Sequence, residues 1–104
     1  MIFRRRQFAD PIARQLDLFE RDYPEVIDEA RERLDAYNRA DRDDAEELYG
    51  DYVDAVETGT EALADIRWSF WKTLDDDAAE EYEAEFNRAV AKRFPRFGFE
   101  IENR

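Results

Sequence analysis

The chain contains no cysteine and no histidine among its 104 residues. The first absence excludes disulfides and thiolate nucleophiles, the second excludes imidazole acid–base catalysis, and together they exclude nearly every zinc site. Ser69 is the only serine, and with no His or Cys beside it a nucleophilic centre has no support. No apolar run approaches the roughly 20 residues of a membrane-spanning helix. The first eight residues carry arginines where a signal peptide has its apolar centre, so a soluble cytoplasmic protein without membrane contact is expected.

Lysine is scarce too, confined to Lys72 and Lys92, so the 16 basic residues are nearly all arginine against 28 Asp and Glu, for a net charge of −12. This balance resembles that of cytoplasmic proteins from extreme halophiles, a likeness of composition and not of family. In molar salt the Debye length falls to about 3 Å, and a dense carboxylate surface then serves mainly to keep the protein hydrated. The same charges repel one another in dilute buffer, so folding is expected to improve with salt. The length suits one domain, residues 1–104, with one modest core.

Hydrophobic spacing predicts helices. Asp10-Pro11 has the form of an N-cap and first-turn proline, followed by Ile12, Leu16, Phe19 and Tyr23 at helical intervals. The pattern restarts at Asp22-Tyr-Pro-Glu25, read as a capping box, and carries Ile27, Ala30, Leu34 and Tyr37 on one stripe. After a polar break at residues 38–43, Asp43 and Glu46 open the longest periodic segment, which runs to about Leu74. Within it Ala45, Tyr52, Gly59 and Ile66 interlock with Tyr49, Val56, Leu63 and Phe70, both series seven residues apart, as in a coiled-coil seam. Gly59 is its weak point, because glycine costs about 1 kcal/mol inside a helix. Asp75, Asp76 and Asp77 then begin a last helix with Ala79, Tyr82, Phe86, Ala89, Val90 and Phe94 inward, Lys92 and Arg93 in its final turn, and Pro95 as its stop. Beyond it Phe97, Phe99 and Ile101 alternate with polar residues, which suggests a short strand. Residues 2–8 look extended and basic, and Arg4, Arg5 and Arg6 would face Glu100 and Glu102 in a terminal two-stranded ribbon. The expected fold is therefore all-α or predominantly α: a small antiparallel helical bundle with one long central helix, with a ribbon formed by the termini.

Candidate chemistry is sparse. Asp41, Asp43 and Asp44 have the opening spacing of an EF-hand loop but lack its glycine and its closing residues, and helix capping explains them and Asp75 to Asp77 alike. A di-metal bundle needs Glu-x-x-His motifs, which the absence of histidine forbids. Glu80 with Glu83, and Glu81 with Glu85, share helix faces and read as hydrated surface. No metal, cofactor or catalytic residue is assigned. The arginine cluster at 4–6 has the form of a nucleic-acid arm, but the acidic remainder would repel phosphate, so a nucleic-acid partner is not expected.

The stretch IRWSFWKTL, from Ile66 to Leu74, holds both tryptophans beside Arg67 and Lys72. The two cations suit the negative end of the long helix. Ile66, Phe70 and Leu74 belong to its apolar stripe and Trp71 extends the stripe's flank, while Trp68 projects about 155° from its centre. Either the C-terminal aromatics Phe97 and Phe99 cover Trp68 or a second chain does, and tryptophan is a common interface anchor. Arg67, Trp68, Trp71, Lys72, Phe97 and Phe99 thus form the candidate interaction surface. The expected function is that of a non-enzymatic interaction or structural protein that self-associates as a homodimer and meets an unidentified protein partner. Two alternatives stand beside it: an ion-binding protein or enzyme built on carboxylates alone, and an acidic regulator that mimics nucleic acid.

Overall fold

Helix periodicity and two aromatic-proline junctions shape the chain. A computed structural model describes residues 7–104. Among the described residues there are five helices and no strand: α1 (Ala9–Asp22), α2 (Pro24–Asn38), α3 (Arg42–Trp71), α4 (Asp76–Arg93) and α5 (Pro95–Glu102). The fold is predominantly α. At Tyr23-Pro24 and again at Phe94-Pro95, the residue before proline leaves the helical region (φ −129°, ψ 43° and φ −130°, ψ 68°), because the proline ring crowds a helical predecessor. Each proline then takes the first turn of the next helix, where its missing N–H leaves no bond unmade.

The caps differ in part from their expected places. Asp41, not Asp43, caps α3 by accepting from the Asp44 amide at 3.2 Å, and Asp75 caps α4 by accepting from Ala78 at 3.0 Å. Asp10 and Asp22 are no caps: Asp10 lies in the first turn of α1 and Asp22 is its last residue. The aspartate clusters at both starts thus complete and complement helix N-termini.

Helix α3 runs unbroken for 30 residues through Gly59. Its first half forms a hairpin with α2, in which Tyr37 and Tyr49 meet at 5.2 Å between ring centroids. Its second half carries the rest of the protein. Helix α4 returns antiparallel to it, with Phe70 against Tyr82 at 4.8 Å and Arg67 bonded to Asn87. Helix α1 runs in the same direction as α4, joined by Phe8 on Tyr82 at one end and Phe19 on Phe94 at the other. Arg93 fastens that second end by pairing with Asp17 at 2.7 Å and Glu20 at 2.6 Å. One apolar cluster draws residues from all five helices, centred on Phe19, Leu63, Tyr82, Phe86, Val90, Phe97 and Ile101. The heptad seam of α3 is consumed within the chain from Tyr52 to Phe70, with Val56, Gly59 and Leu63 buried, while Tyr49 stays half exposed.

The C-terminal strand expected from alternation is instead helix α5. Phe97, Gly98 and Ile101 face inward with Phe94, at helical spacing, while Phe99 points out. Two glycines make this docking close. A Cβ on Gly59 would overlap Cε1 of the Phe97 ring and lie 2.7 Å from its Cζ, and a Cβ on Gly98 would lie 2.9 Å from the Ala91 Cα. The terminal ribbon therefore has no C-terminal strand, and Arg4, Arg5 and Arg6, its other side, lie outside the described residues.

Candidate interaction surface

The six residues singled out in the sequence part into two groups. Arg67 is 6% exposed and belongs to the interior. Its guanidinium donates to Asn87 Oδ1 at 2.7 Å and to the Ile101 carbonyl at 3.0 Å. One side chain thereby ties α3, α4 and α5 together, and its charge sits at the C-terminal, electronegative end of α5, not at the end of its own helix. Phe97 is 1% exposed and fills the notch over Gly59, edge-on to Phe19 at 6.0 Å between centroids. Neither residue is available to a partner.

The other four remain outside. Trp68 is 54% exposed and stacks on Trp71, with ring centroids 5.1 Å apart and planes 25° from parallel. Trp71 is half-buried against the core, which holds it as a platform for the outer ring. Lys72 follows, exposed, at the C-cap of α3. Phe99 is 77% exposed on the outer side of α5 and makes no ring contact with Trp68 among the described residues. The tail therefore leaves Trp68 uncovered. The sequence reading grouped Phe97 and Phe99 as alternates on one strand face; in a helix the two residues are 200° apart, and only one of them meets the core.

A second feature escaped the sequence reading. Between the parallel helices α1 and α4 runs an open groove of about 1130 Å³. Ile12 and Leu16 form its floor with Ala9 and Ala13 beside them, and Ala84 and Ala89 line the α4 side. Glu81 and Glu85 edge one end, Arg88 and Lys92 the other. The available signal was the pairing of like charges four residues apart, acidic first and basic second, on one helix face.

No Asp or Glu among the described residues is fully buried. The buried titratable side chain beside Arg67 is Tyr82, whose phenol donates to Gln15 Oε1 at 2.7 Å and is pushed above its ordinary pKa by burial. Among the described residues no group of three or more acidic side chains is placed to hold a metal ion, and no helix is long and apolar enough to cross a membrane. No protein family, curated protein or solved structure matches the chain.

Proposed function

We propose that the protein is a non-enzymatic interaction protein of the cytoplasm, adapted to high salt, that self-associates as a homodimer and presents the Trp68–Trp71 step to a partner protein. The observation that carries this reading is Trp68. An indole more than half exposed on a surface this acidic is apolar area that solubility does not require. Burying the exposed part of such a ring at about 25 cal/mol per Å² is worth roughly 2 kcal/mol to a complex. Trp71 beneath it fixes the ring, which lowers the ordering cost of binding. Lys72 adds one of the chain's two lysines at the patch's edge, a point of attachment for a carboxylate.

Site-specific photo-crosslinking tests the reading. A benzophenone side chain replacing Trp68, irradiated in a native high-salt lysate, is expected to give a discrete adduct, whereas the same group at the exposed Glu32 of α2 gives none. The mass of the adduct identifies its source, a second copy or a different protein. A probe at position 68 that gives no more adduct than the one at position 32 removes the surface.

A further inference from the structure

The geometry points to the chain's own N-terminal arm, residues 2–6, as the occupant of the α1–α4 groove. The arm lies outside the described residues, but the place where it joins them is fixed. Gln7 and Phe8 form the turn before α1, and the buried Phe8 ring stands edge-on to Tyr82 of α4 at 5.5 Å and to Phe70 of α3 at 6.1 Å between centroids. Ala9, the next residue, already lines the groove, and Glu81, next to Tyr82, lines it from α4 at the same end. The arm therefore starts at the acidic mouth of the groove.

From that mouth the order of side chains along the arm matches the order along the groove. Nearest the turn stand Arg4, Arg5 and Arg6, the only run of three basic residues in the sequence, and the facing half of α4 with its cap, Asp75 to Glu85, carries seven acidic side chains and no basic one. The match does not need Glu85, which is already engaged within the chain. Farther out along the arm stand Phe3 and Ile2, and beyond Glu81 the groove is apolar, floored by Ile12 and Leu16 and walled by alanines at 13, 84 and 89 that leave room for larger side chains. Five extended residues reach about 17 Å, against about 12 Å of rise along α4 from Glu81 to Ala89, so Phe3 and Ile2 come to lie over the floor. Arg88 and Lys92 at the far end fix the direction, because they repel the arginines and keep them at the mouth. Tethering favours this occupant over a separate molecule: an arm anchored at the mouth acts at an effective concentration in the millimolar range and avoids the translational cost of association. The arm closes the apolar floor against other ligands and leaves the Trp68–Trp71 step on the outside, so this assignment does not depend on the surface proposed above.

The absence of native cysteine makes disulfide trapping a direct test. Phe3→Cys is combined in turn with Ala13→Cys and Ala84→Cys in the groove, and with Glu32→Cys on the exposed face of α2 as the control. In a thiol redox buffer with 2 M KCl, at least one groove pair is expected to close within a single chain at an effective concentration about tenfold or more above that of the control. A second measurement keeps the native groove intact: trypsin cleavage after Arg4 to Arg6 is expected to be about tenfold faster in the double variant Ile2→Asp, Phe3→Asp than in the unaltered protein, with the same helicity by circular dichroism, because a docked arm must open before it is cut. Groove pairs that close no better than the Glu32 pair, together with equal cleavage rates, overturn the assignment. Disulfides that appear only at twice the chain mass overturn it as well, since the groove then takes the arm of a second copy.

Discussion

Replacing Gly59 by alanine separates two physical effects that pull in opposite directions. Helix propensity favours the change: alanine is better than glycine in a helix interior by about 0.8–1 kcal/mol. Packing opposes it. The new methyl would overlap Cε1 of Phe97 and stand 2.7 Å from Cζ, and the ring is held from behind by Phe19 at 6.0 Å between centroids. Overfilling a close-packed site costs roughly 1–3 kcal/mol, and with the ring buried and no open space to enter, the upper part of that range applies. The net expectation is a loss of about 1–2 kcal/mol, or a melting temperature lower by roughly 5–10 °C for a domain of this size. Gly50 provides the control on the same helix, since a Cβ there would meet nothing within 4 Å. Gly50→Ala should therefore raise the melting temperature by about 4–6 °C from propensity alone. Thermal unfolding of both variants in 2 M KCl, followed at 222 nm, compares identical chemistry in two environments. Shortening the ring by Phe97→Leu should reduce the cost of Gly59→Ala by about 0.5 kcal/mol or more, as coupled neighbours do. Should Gly59→Ala stabilise the protein as much as Gly50→Ala, Phe97 does not seat on Gly59 and the placement of α5 is wrong.

Four further outcomes follow from individual side chains and from the charge. Thr60 is wholly buried and its hydroxyl has no hydrogen-bond partner among the described residues, so Thr60→Val, nearly equal in shape, should stabilise by about 1 kcal/mol in urea titrations; a loss would mean that the hydroxyl is bonded. Arg67→Met keeps the aliphatic stem but removes the charged donor from Asn87 Oδ1 and from the Ile101 carbonyl, which is left with the Arg104 amide alone, for an expected cost of about 2–3 kcal/mol by the same titration, and an unchanged midpoint would refute the three-helix tie. Burial raises the Tyr82 pKa above its ordinary value, so the folded protein holds a proton that the unfolded chain releases near pH 10; stability owed to this group is intact below about pH 10 and falls above it by up to ~1.4 kcal/mol per pH unit. Tyr82→Phe should flatten that alkaline decline between pH 9 and 11, and parallel curves for the two proteins would exclude it. With a net charge of −12, the melting temperature should rise between dilute buffer and 2 M KCl, since salt screens repulsion and strengthens apolar burial; a flat or falling response would contradict the reading of the composition as salt-adapted.

For α1 to α4 the sequence by itself determined where helices form and which stripe turns inward, because both are matters of local period. Ile12, Leu16 and Phe19, then Val56 and Leu63, then Tyr82, Phe86 and Val90 were legible as core from spacing alone, and all are buried. It also determined the breaks, since proline and aspartate act on their immediate neighbours. Tertiary structure decided what local pattern leaves open. Residues 97–101 are too few to tell a period of two from one of 3.6, and Phe97 with Ile101 satisfies both; docking over Gly59 and Ala91 selects the helix and turns Phe99 out. Pro24 and Pro95 carry the same local signal, an end to one helix and a fit to the first turn of another, and whether a second helix follows depends on a surface to receive it. Gly59 shows the same limit: a glycine that weakens a helix and a glycine that admits a phenylalanine from 38 positions away are identical until the second segment is in place. Arg67 lies at the end of its own helix in sequence and at the end of α5 in space. Its partner was decided by packing, which brings the carbonyl of a residue 34 positions along the chain to its guanidinium.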